Sequence, residues 1–203
     1  MSGPATRMEL LELKTRIKLA EKGHSLLKRK LDGMVQKYME NVLEYVKLEN
    51  DVKQRKETAF KQLTKAAAVS GAGRVMGISL ATQPTMKIDN QQASIMGVPV
   101  PKLQVTKLEH SVNTSLIGTA YYVRDSMTQF TDLLPELLRL SELELVLTRL
   151  SEEIIRTRRR VNSLEHIKIP QLKEEFKFIK QVLSEQEREA FSRTKFVKEK
   201  IRK

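Results

Sequence analysis

The chain has 203 residues, of which 40% are hydrophobic and 31% are charged, proportions typical of a folded protein. Only 5% of the residues are aromatic and there are eight Gly and six Pro, so a large β-sandwich, β-barrel or doubly wound sheet would lack its usual core and turns. The 37 Lys and Arg against 25 Asp and Glu give a net charge of +12, which suits nucleic acid, anionic lipid or an acidic protein surface as partner.

The absence of cysteine excludes disulfides, thiolate metal sites and a cysteine nucleophile. No apolar run reaches the roughly 18 residues that a membrane-spanning helix needs. The first residues, Met1–Pro4, contain no apolar signal core. We therefore expect no transmembrane segment and no secretion, and a location in the cytosol or docked to something cytosolic.

Composition divides the chain into three segments. Residues 4–69 and 119–203 are charged and Leu-rich, and the former repeats apolar side chains at alternating spacings of three and four for about four heptads. Residues 70–118 concentrate Gly, Pro and small polar residues. We predict an N-terminal helix over 4–69, a central knob over 70–118 and a C-terminal helix over 119–203.

The first predicted helix has recognisable start signals and one apolar seam. Pro4 suits the first turn, Thr6 can cap the helix, and Glu9 completes a capping box. Polar residues intrude on the seam towards residue 60. Its predicted members are Leu13, Ile17, Ala20, His24, Leu27, Leu31 and Met34.

The central segment contains two β-like runs, Arg74 to Leu80 and Val98 to Lys107. We predict a small β-hairpin or loop-rich knob, in which the prolines confine any strand to a sheet edge. Gly71 to Gly77 superficially resembles a phosphate-binding glycine loop, but it follows a helix and no Gly-Lys-Ser/Thr triplet is present. We interpret it as a flexible linker from helix to knob.

The last segment repeats the three-four spacing and then changes phase near Pro170. Such a stutter unwinds a left-handed supercoil locally, and an interior proline costs a helix about 3 kcal/mol or a kink. We therefore predict a bent or interrupted long helix. Its predicted seam members are Leu143, Leu147, Leu150, Ile154, Val161 and Leu164.

Two long helices with one apolar seam each bury those seams most simply by folding back on each other. The predicted fold class is mainly α, a long antiparallel two-helix coiled coil formed by the N- and C-terminal segments, with a small central β-hairpin or loop knob. We expect a rod.

Residues for catalysis or metal binding are sparse. The three histidines, His24, His110 and His166, are too dispersed to form a ligand set. We expect His24, on the seam, to fix register or to be a half-buried hydrogen-bonded imidazole rather than a metal ligand or proton relay. No paired carboxylates or catalytic triad stand out, so we expect no intrinsic enzymatic activity, no metal and no cofactor.

Two basic clusters lie within the predicted helices, Lys28 to Lys30 and Arg156 with Arg158 to Arg160. Consecutive helical residues point around the whole circumference, so neither cluster can line a single groove. We expect solvated helix faces, with some cations facing the partner helix or another protein, and no nucleic-acid binding.

Several strings resemble the D subunit of the rotary V/A-type ATPases and ATP synthases, in the archaeal or bacterial form that lacks a charged extension after Lys203. Supporting strings begin at Pro4, Gly23 and Glu185. The resemblance covers nearly the whole chain and is weakest over 70–118. The most specific string contains Arg159, Arg160, Val161, Asn162, Leu164, Glu165, His166, Ile169 and Pro170.

The resemblance implies a non-catalytic central-stalk rotor that carries no nucleotide and transmits torque between ATP hydrolysis or synthesis and ion translocation, such as proton transport. The chain ends would enter the bore of the hexamer formed by the catalytic A and B subunits. The F subunit would bind along the shaft, and the middle region would seat in the funnel-shaped subunit on the membrane ring. The protein would then be peripheral, on the cytoplasmic side, without membrane insertion.

Candidate contacts follow from this resemblance. We expect Arg7, Arg16, Lys195 and Lys198 to face acidic loops of the hexamer, because rotation favours screened polar contacts over adhesive apolar ones. We expect the F subunit to contact Leu137, Leu138 and Val146.

Two alternative functions stay open. One is a prefoldin-like chaperone, although the helix ends are expected to lack the exposed apolar tips that such a chaperone needs. The other is a basic coiled-coil nucleic-acid-binding protein, whose affinity would fall steeply with salt.

Overall fold

The computed structural model describes residues 6–81, 83–111 and 121–201. It confirms the predicted mainly α class, with long N- and C-terminal helices that pack together and a two-stranded antiparallel hairpin between them in sequence. The first-turn role of Pro4, the boundary between 118 and 119, and the end at Lys203 lie outside the described residues. In chain order the elements are α1 (Arg7–Ser70), α2 (Ala72–Ala81), β1 (Gln83–Ile95), β2 (Val98–Ser111), α3 (Tyr121–Ser163), a π-helical turn (Leu164–Lys168) and α4 (Ile169–Ile201).

The chain forms two compact units. The first unit contains the residues up to Gly33 and those from Ile154 onward, and the second unit is Met34–Glu153. Helix α1 therefore contributes its N-terminal part to the first unit and the rest to the second.

In the first unit, α1 begins with the predicted cap, because the Glu9 backbone N–H donates to Thr6 Oγ1 at 3.2 Å. The helices run antiparallel, as shown by ion pairs from Arg7 to Glu187 at 2.6 Å and from Lys173 to Glu21 at 2.8 Å. A core cluster of Leu13, Leu172 and Ile179 is packed by Leu10, Ile17, Ala20, Phe176 and Leu183.

The π-helical turn explains how the C-terminal helical segment accommodates Pro170. The Ile169 N–H donates to the carbonyl oxygen of Leu164, a bond that spans five residues instead of four. Proline has no N–H to donate and interrupts the α-helical ladder at the next position. The predicted phase change therefore occurs through one wide turn, and both neighbouring segments stay helical.

In the second unit, α1 and α3 pack antiparallel around a buried apolar strip. Met34 and Leu150 are fully buried, and Phe60 contacts Phe130 edge to face with ring centroids 5.4 Å apart. Two arginines, one on each helix, form ion pairs across the helix pair: Arg139 to Glu44 at 2.6 Å, and Arg55 to Glu136.

The hairpin differs from the predicted one in its first strand. Arg74 to Leu80, predicted as a β-like run, is helical in α2, and β2 pairs instead with the more polar β1. The loop residues Met96 and Gly97 have φ of 55° and 82°, the left-handed pair that a two-residue hairpin loop with matching twist requires. The second predicted run, from Val98, is confirmed as β2.

The glycine-rich segment is not the predicted linker. Gly71 has φ of 84° and ends α1 as a left-handed glycine cap, and its N–H donates to the Ala67 carbonyl oxygen at 3.0 Å. Helix α2 starts at the next residue. Its side chains Val75 and Ile78 are half-buried, so apolar packing outweighs the weak helix propensity of its glycines.

Candidate functional site

The predicted seam residues lie at buried or half-buried positions. Leu13, Met34, Leu143, Leu150, Ile154 and Val161 are at most 8% exposed. The remaining members are half-buried: Ile17, Ala20, His24, Leu27, Leu31, Leu147 and Leu164.

The residues of the family string divide between the interior and the surface. Val161 is buried and Leu164 and Ile169 are half-buried. The polar members and Pro170 are exposed: Arg159, Arg160, Asn162, Glu165 and His166. The string thus combines an inward apolar stripe, an outward polar stripe and the π-helical turn.

His24 and Glu165 are brought together by the pairing of α1 with the π-helical turn. His24 Nε2 lies 3.2 Å from Glu165 Oε2, and the imidazole side chain is only 19% exposed. The imidazole can donate a hydrogen bond from Nε2 to the carboxylate. His24 is therefore a half-buried hydrogen-bonded imidazole within the helix pair.

The four candidate hexamer contacts are all exposed, and two of them have partners within this chain. Arg7 pairs with Glu187 at 2.6 Å, and Arg16 lies 3.5 Å from Glu12 one turn earlier. Lys195 and Lys198 are exposed on α4, and among the described residues neither has a carboxylate oxygen within 4.0 Å. The lysines are the more available of the four for a partner.

The three candidate contacts for the F subunit do not form one exposed face. Leu137 lines a mainly apolar groove of about 510 Å³ between α1, α2 and α3. Leu138 and Val146 line a second groove, beside the hairpin. Val146 is only 4% exposed, so its side chain is covered within this chain, whereas Leu137 and Leu138 are half-buried. Their contact with the F subunit stays a prediction.

An exposed apolar stripe on α1 was missed by the sequence analysis. Met39, Leu43 and Val46 are 59%, 64% and 46% exposed, and their spacings of four and three place them on one helix face. This second three-four spacing beside the seam was the available signal. A stripe of this kind is typical of a surface that another protein covers.

The hairpin is fixed to α3 by a half-buried contact. The Leu103 backbone N–H donates to Glu142 Oε2 at 3.1 Å, and Val98 and Val100 are 6% and 3% exposed. Glu142 on α3 thus accepts a hydrogen bond from the backbone of β2. Burial of the Val98 and Val100 side chains adds to the stability of this contact.

Two titratable groups in the second unit have shifted pKa values. The Lys37 ammonium, which donates to Glu40 at 2.7 Å, lowers the pKa of the Glu40 carboxyl. Burial, followed by the charges of Glu49 and Glu144, raises the pKa of Tyr45. The pKa shift of Glu40 thus comes from a neighbour one turn away on the helix, and that of Tyr45 comes mainly from burial.

Metal-binding clusters and membrane-spanning helices are absent from the described part of the chain. Within residues 6–81, 83–111 and 121–201, no group of three or more His, Asp or Glu is placed to hold a metal ion. None of the described helices has an apolar stretch long enough to cross a bilayer.

Comparison with known proteins identifies the family. Residues 9–199 match the family described as the D subunit of ATP synthase. The A-type ATP synthase D subunit from Pyrococcus abyssi is 41% identical over 196 residues, which cover 95% of this chain and 92% of that protein. Proteins of the same name from Thermococcus kodakarensis and Methanopyrus kandleri are 40% and 38% identical, over 95% and 97% of this chain and 92% and 85% of their own lengths. The long paired helices, the hairpin between them and these matches together place the chain in the family of ATP synthase D subunits.

Proposed function

We propose that this protein is the central-stalk rotor of an A-type ATP synthase. It would transmit torque between ATP hydrolysis or synthesis in a catalytic A/B hexamer and ion translocation in a membrane ring. The observation that carries the proposal is the match to an A-type D subunit over 95% of the chain. The protein itself would bind no nucleotide and catalyse no reaction, and its location would be peripheral, on the cytoplasmic side of the membrane.

The helix pairing has the mechanical properties that a rotor needs. Fully buried side chains such as Met34 and Leu150 resist sliding of one helix along the other. Ion pairs between residues distant in sequence, such as Arg7 to Glu187 and Arg139 to Glu44, tie the helices together at several levels within each unit. A twisting force applied at one level is therefore shared by both helices.

The partners would occupy different parts of the chain. The terminal segments would enter the hexamer bore, where Lys195 and Lys198 would face acidic loops. The F subunit would cover the exposed stripe of Met39, Leu43 and Val46, together with Leu137 and Leu138. The middle region, including the hairpin, would seat in the funnel-shaped subunit on the membrane ring.

A reconstitution tests the proposal. The purified chain is mixed with a catalytic A/B hexamer and the F subunit, and co-elution and ATP turnover are measured. We expect one copy of the chain per hexamer and a change in turnover. A helical, soluble chain that never co-elutes with the hexamer would contradict the proposal.

A charge-reversal pair addresses the terminal contacts. Lys195→Glu with Lys198→Glu should weaken coupling between ATP turnover and rotation, whereas the matched change of Lys61→Glu with Lys65→Glu, also exposed on a helix, should not. Unchanged coupling in the first variant would remove these two lysines from the proposed interface.

One observation favours a second candidate function, a prefoldin-like chaperone. The expectation that the helix ends lack exposed apolar side chains is wrong, because Phe191, Phe196 and Ile201 are 76%, 71% and 81% exposed. These side chains suit either a hexamer bore or an unfolded client. Suppression of client aggregation by the isolated chain, without hexamer binding, would favour the chaperone.

A further inference from the structure

Six exposed cations lie around the helix pair of the first unit, within about 8 Å along its axis. Two are on α1 and four are near the end of α3, and all six side chains are exposed. We call them the basic collar: Lys28, Arg29, Arg156, Arg158, Arg159 and Arg160.

The contact between His24 and Glu165 fixes the level of the collar. Two ion pairs show that α1 runs antiparallel to α4. Helix α3 leads into α4 through the π-helical turn, so moving forward along α1 corresponds to moving backward along α3. At 1.5 Å per residue, Lys28 lies about 6 Å from His24, and Arg160 and Arg156 lie about 7.5 and 13.5 Å from Glu165 in the same direction. Arg160 therefore lies beside Lys28 and Arg29, and the rest of the collar follows within about one further turn of α3.

The collar faces outward in many directions. Thr157 and Val161, 2% and 5% exposed, mark the side of α3 that is turned inward. At about 100° per residue, the four arginines between and beside them span roughly 200° of the outward arc. On α1, the half-buried Leu27 and Leu31 mark the inward side, and Arg29 points away from it.

The collar cations have no carboxylate partners in the first unit. Among the described residues, none of the six has a carboxylate oxygen within 4.0 Å, whereas Arg7 and Lys173 in the same unit each pair across the helices. Arg29 donates to Ser25 Oγ at 3.2 Å, a neutral partner. Of the nearby acids, Glu165 pairs with His24, and Asp32 is exposed on α1.

We propose that the basic collar is an electrostatic bearing that binds the acidic inner surface of a protein ring surrounding the helix pair. The inference rests on the proposed rotor function and adds the level and the chemistry of one contact. Cations that point in many directions attract an acidic ring at every rotational angle, so the shaft is held centred without being locked at one angle. A flat anionic bilayer or a nucleic-acid duplex would contact only one side of such a collar.

The test compares two variants with equal loss of charge. In the collar variant, four arginines become glutamine (R156Q, R158Q, R159Q, R160Q). In the control, four exposed lysines of the second unit become glutamine (K47Q, K53Q, K61Q, K65Q). The measurement is the Kd for the A/B hexamer over a series of salt concentrations. Thermal melts followed by circular dichroism confirm that both variants fold.

We expect the collar variant to bind about tenfold more weakly than the wild type, with a shallower dependence of log Kd on log salt, and the control to bind like the wild type. K28Q with R29Q, on the other helix, should give a smaller loss of the same kind. Unchanged affinity and salt slope in the collar variant, or an equal loss in the control, would overturn the proposal.

The outcome separates this inference from the proposed function. If the wild type binds the hexamer and the collar variant binds equally well, the bearing is wrong and the rotor assignment stands. If the wild type does not bind the hexamer, both fail. Collar-dependent binding to duplex DNA or to phosphatidylserine vesicles, without hexamer binding, would likewise overturn the bearing in favour of a one-sided anionic partner.

Discussion

His24 Nε2 lies 3.2 Å from Glu165 Oε2, although the two residues are 141 positions apart in the chain. The contact joins α1 to the π-helical turn, at the place where Pro170 and the phase change would otherwise leave the register of the two helices loosely defined. A polar pair at such a place selects one register over its neighbours.

This relationship predicts a measurable coupling between the two side chains. In a double-mutant cycle with H24A and E165A, we expect a coupling free energy of about 0.5 to 1 kcal/mol, because both groups are partly exposed. The measurement is the free energy of unfolding by urea. As a control, H24A combined with E175A, an exposed carboxylate on α4, should be additive. Additivity of H24A and E165A would show that the contact does not operate in solution.

The buried strip of the second unit predicts a large loss of stability on truncation. Leu150 is 0% exposed, so L150A should lower the free energy of unfolding by about 2 to 5 kcal/mol through lost burial and a cavity. Leu145, on the same helix, is 44% exposed, and L145A should cost much less. Equal costs for the two variants would be inconsistent with the packing of α1 on α3.

The hairpin contact predicts a local change in amide exchange. Removing the acceptor with E142A should accelerate hydrogen–deuterium exchange at the Leu103 amide, because that N–H donates to Glu142 Oε2 at 3.1 Å. E142Q retains an acceptor oxygen and should accelerate exchange less. E144A, an exposed neighbour, is the control. If E142A leaves the exchange of Leu103 unchanged, the hairpin is not held by this bond.

The raised pKa of Tyr45 predicts that the protein loses stability at alkaline pH. Burial and the charges of Glu49 and Glu144 raise its pKa above the ordinary 10.0. The folded state therefore keeps the phenol proton to higher pH than the unfolded state does. The corresponding stability is present below pH 10 and is lost as pH rises through the folded pKa. The pKa is measured by titrating the absorbance at about 295 nm and subtracting the curve of Y45F from that of the wild type. We expect a midpoint above pH 10, and a smaller upward shift in the E144Q variant. A difference curve centred at or below pH 10 would contradict the raised pKa of Tyr45.

The main features of the fold were predictable from sequence because heptad spacing directly reports which helix face is buried. Leu13 and Leu150 show this, since each was predicted as a seam residue and each is buried. The hairpin was predicted in part. Strand β1 is polar on both faces, so its sequence does not alternate between apolar and polar residues. The apolar run from Arg74 is helical instead, because Gly71 ends α1 with a turn and because Val75 and Ile78 pack in an apolar groove.

The interaction surfaces were less predictable than the core. Spacing identified the phase change near Pro170 but not the wide turn that produces it, since a kink, a break and a π-helical turn share one pattern. The exposure of Met39, Leu43 and Val46 could not be predicted, because periodicity does not tell which of two neighbouring apolar stripes faces the partner helix. Arg7 was expected to face a hexamer, yet its nearest carboxylate, Glu187, is in the same chain, a pairing that only the folded structure reveals.

The most direct test of the rotor account is to observe rotation. Because the chain has no cysteine, a Q92C variant, at an exposed position of the hairpin, gives one specific attachment point for a bead. The chain is assembled with the F subunit and a surface-immobilised A/B hexamer and observed under a microscope with ATP. We expect continuous rotation in one direction that stops when ATP is removed. A hexamer that contains the chain and hydrolyses ATP while the bead only fluctuates about one angle would contradict the account.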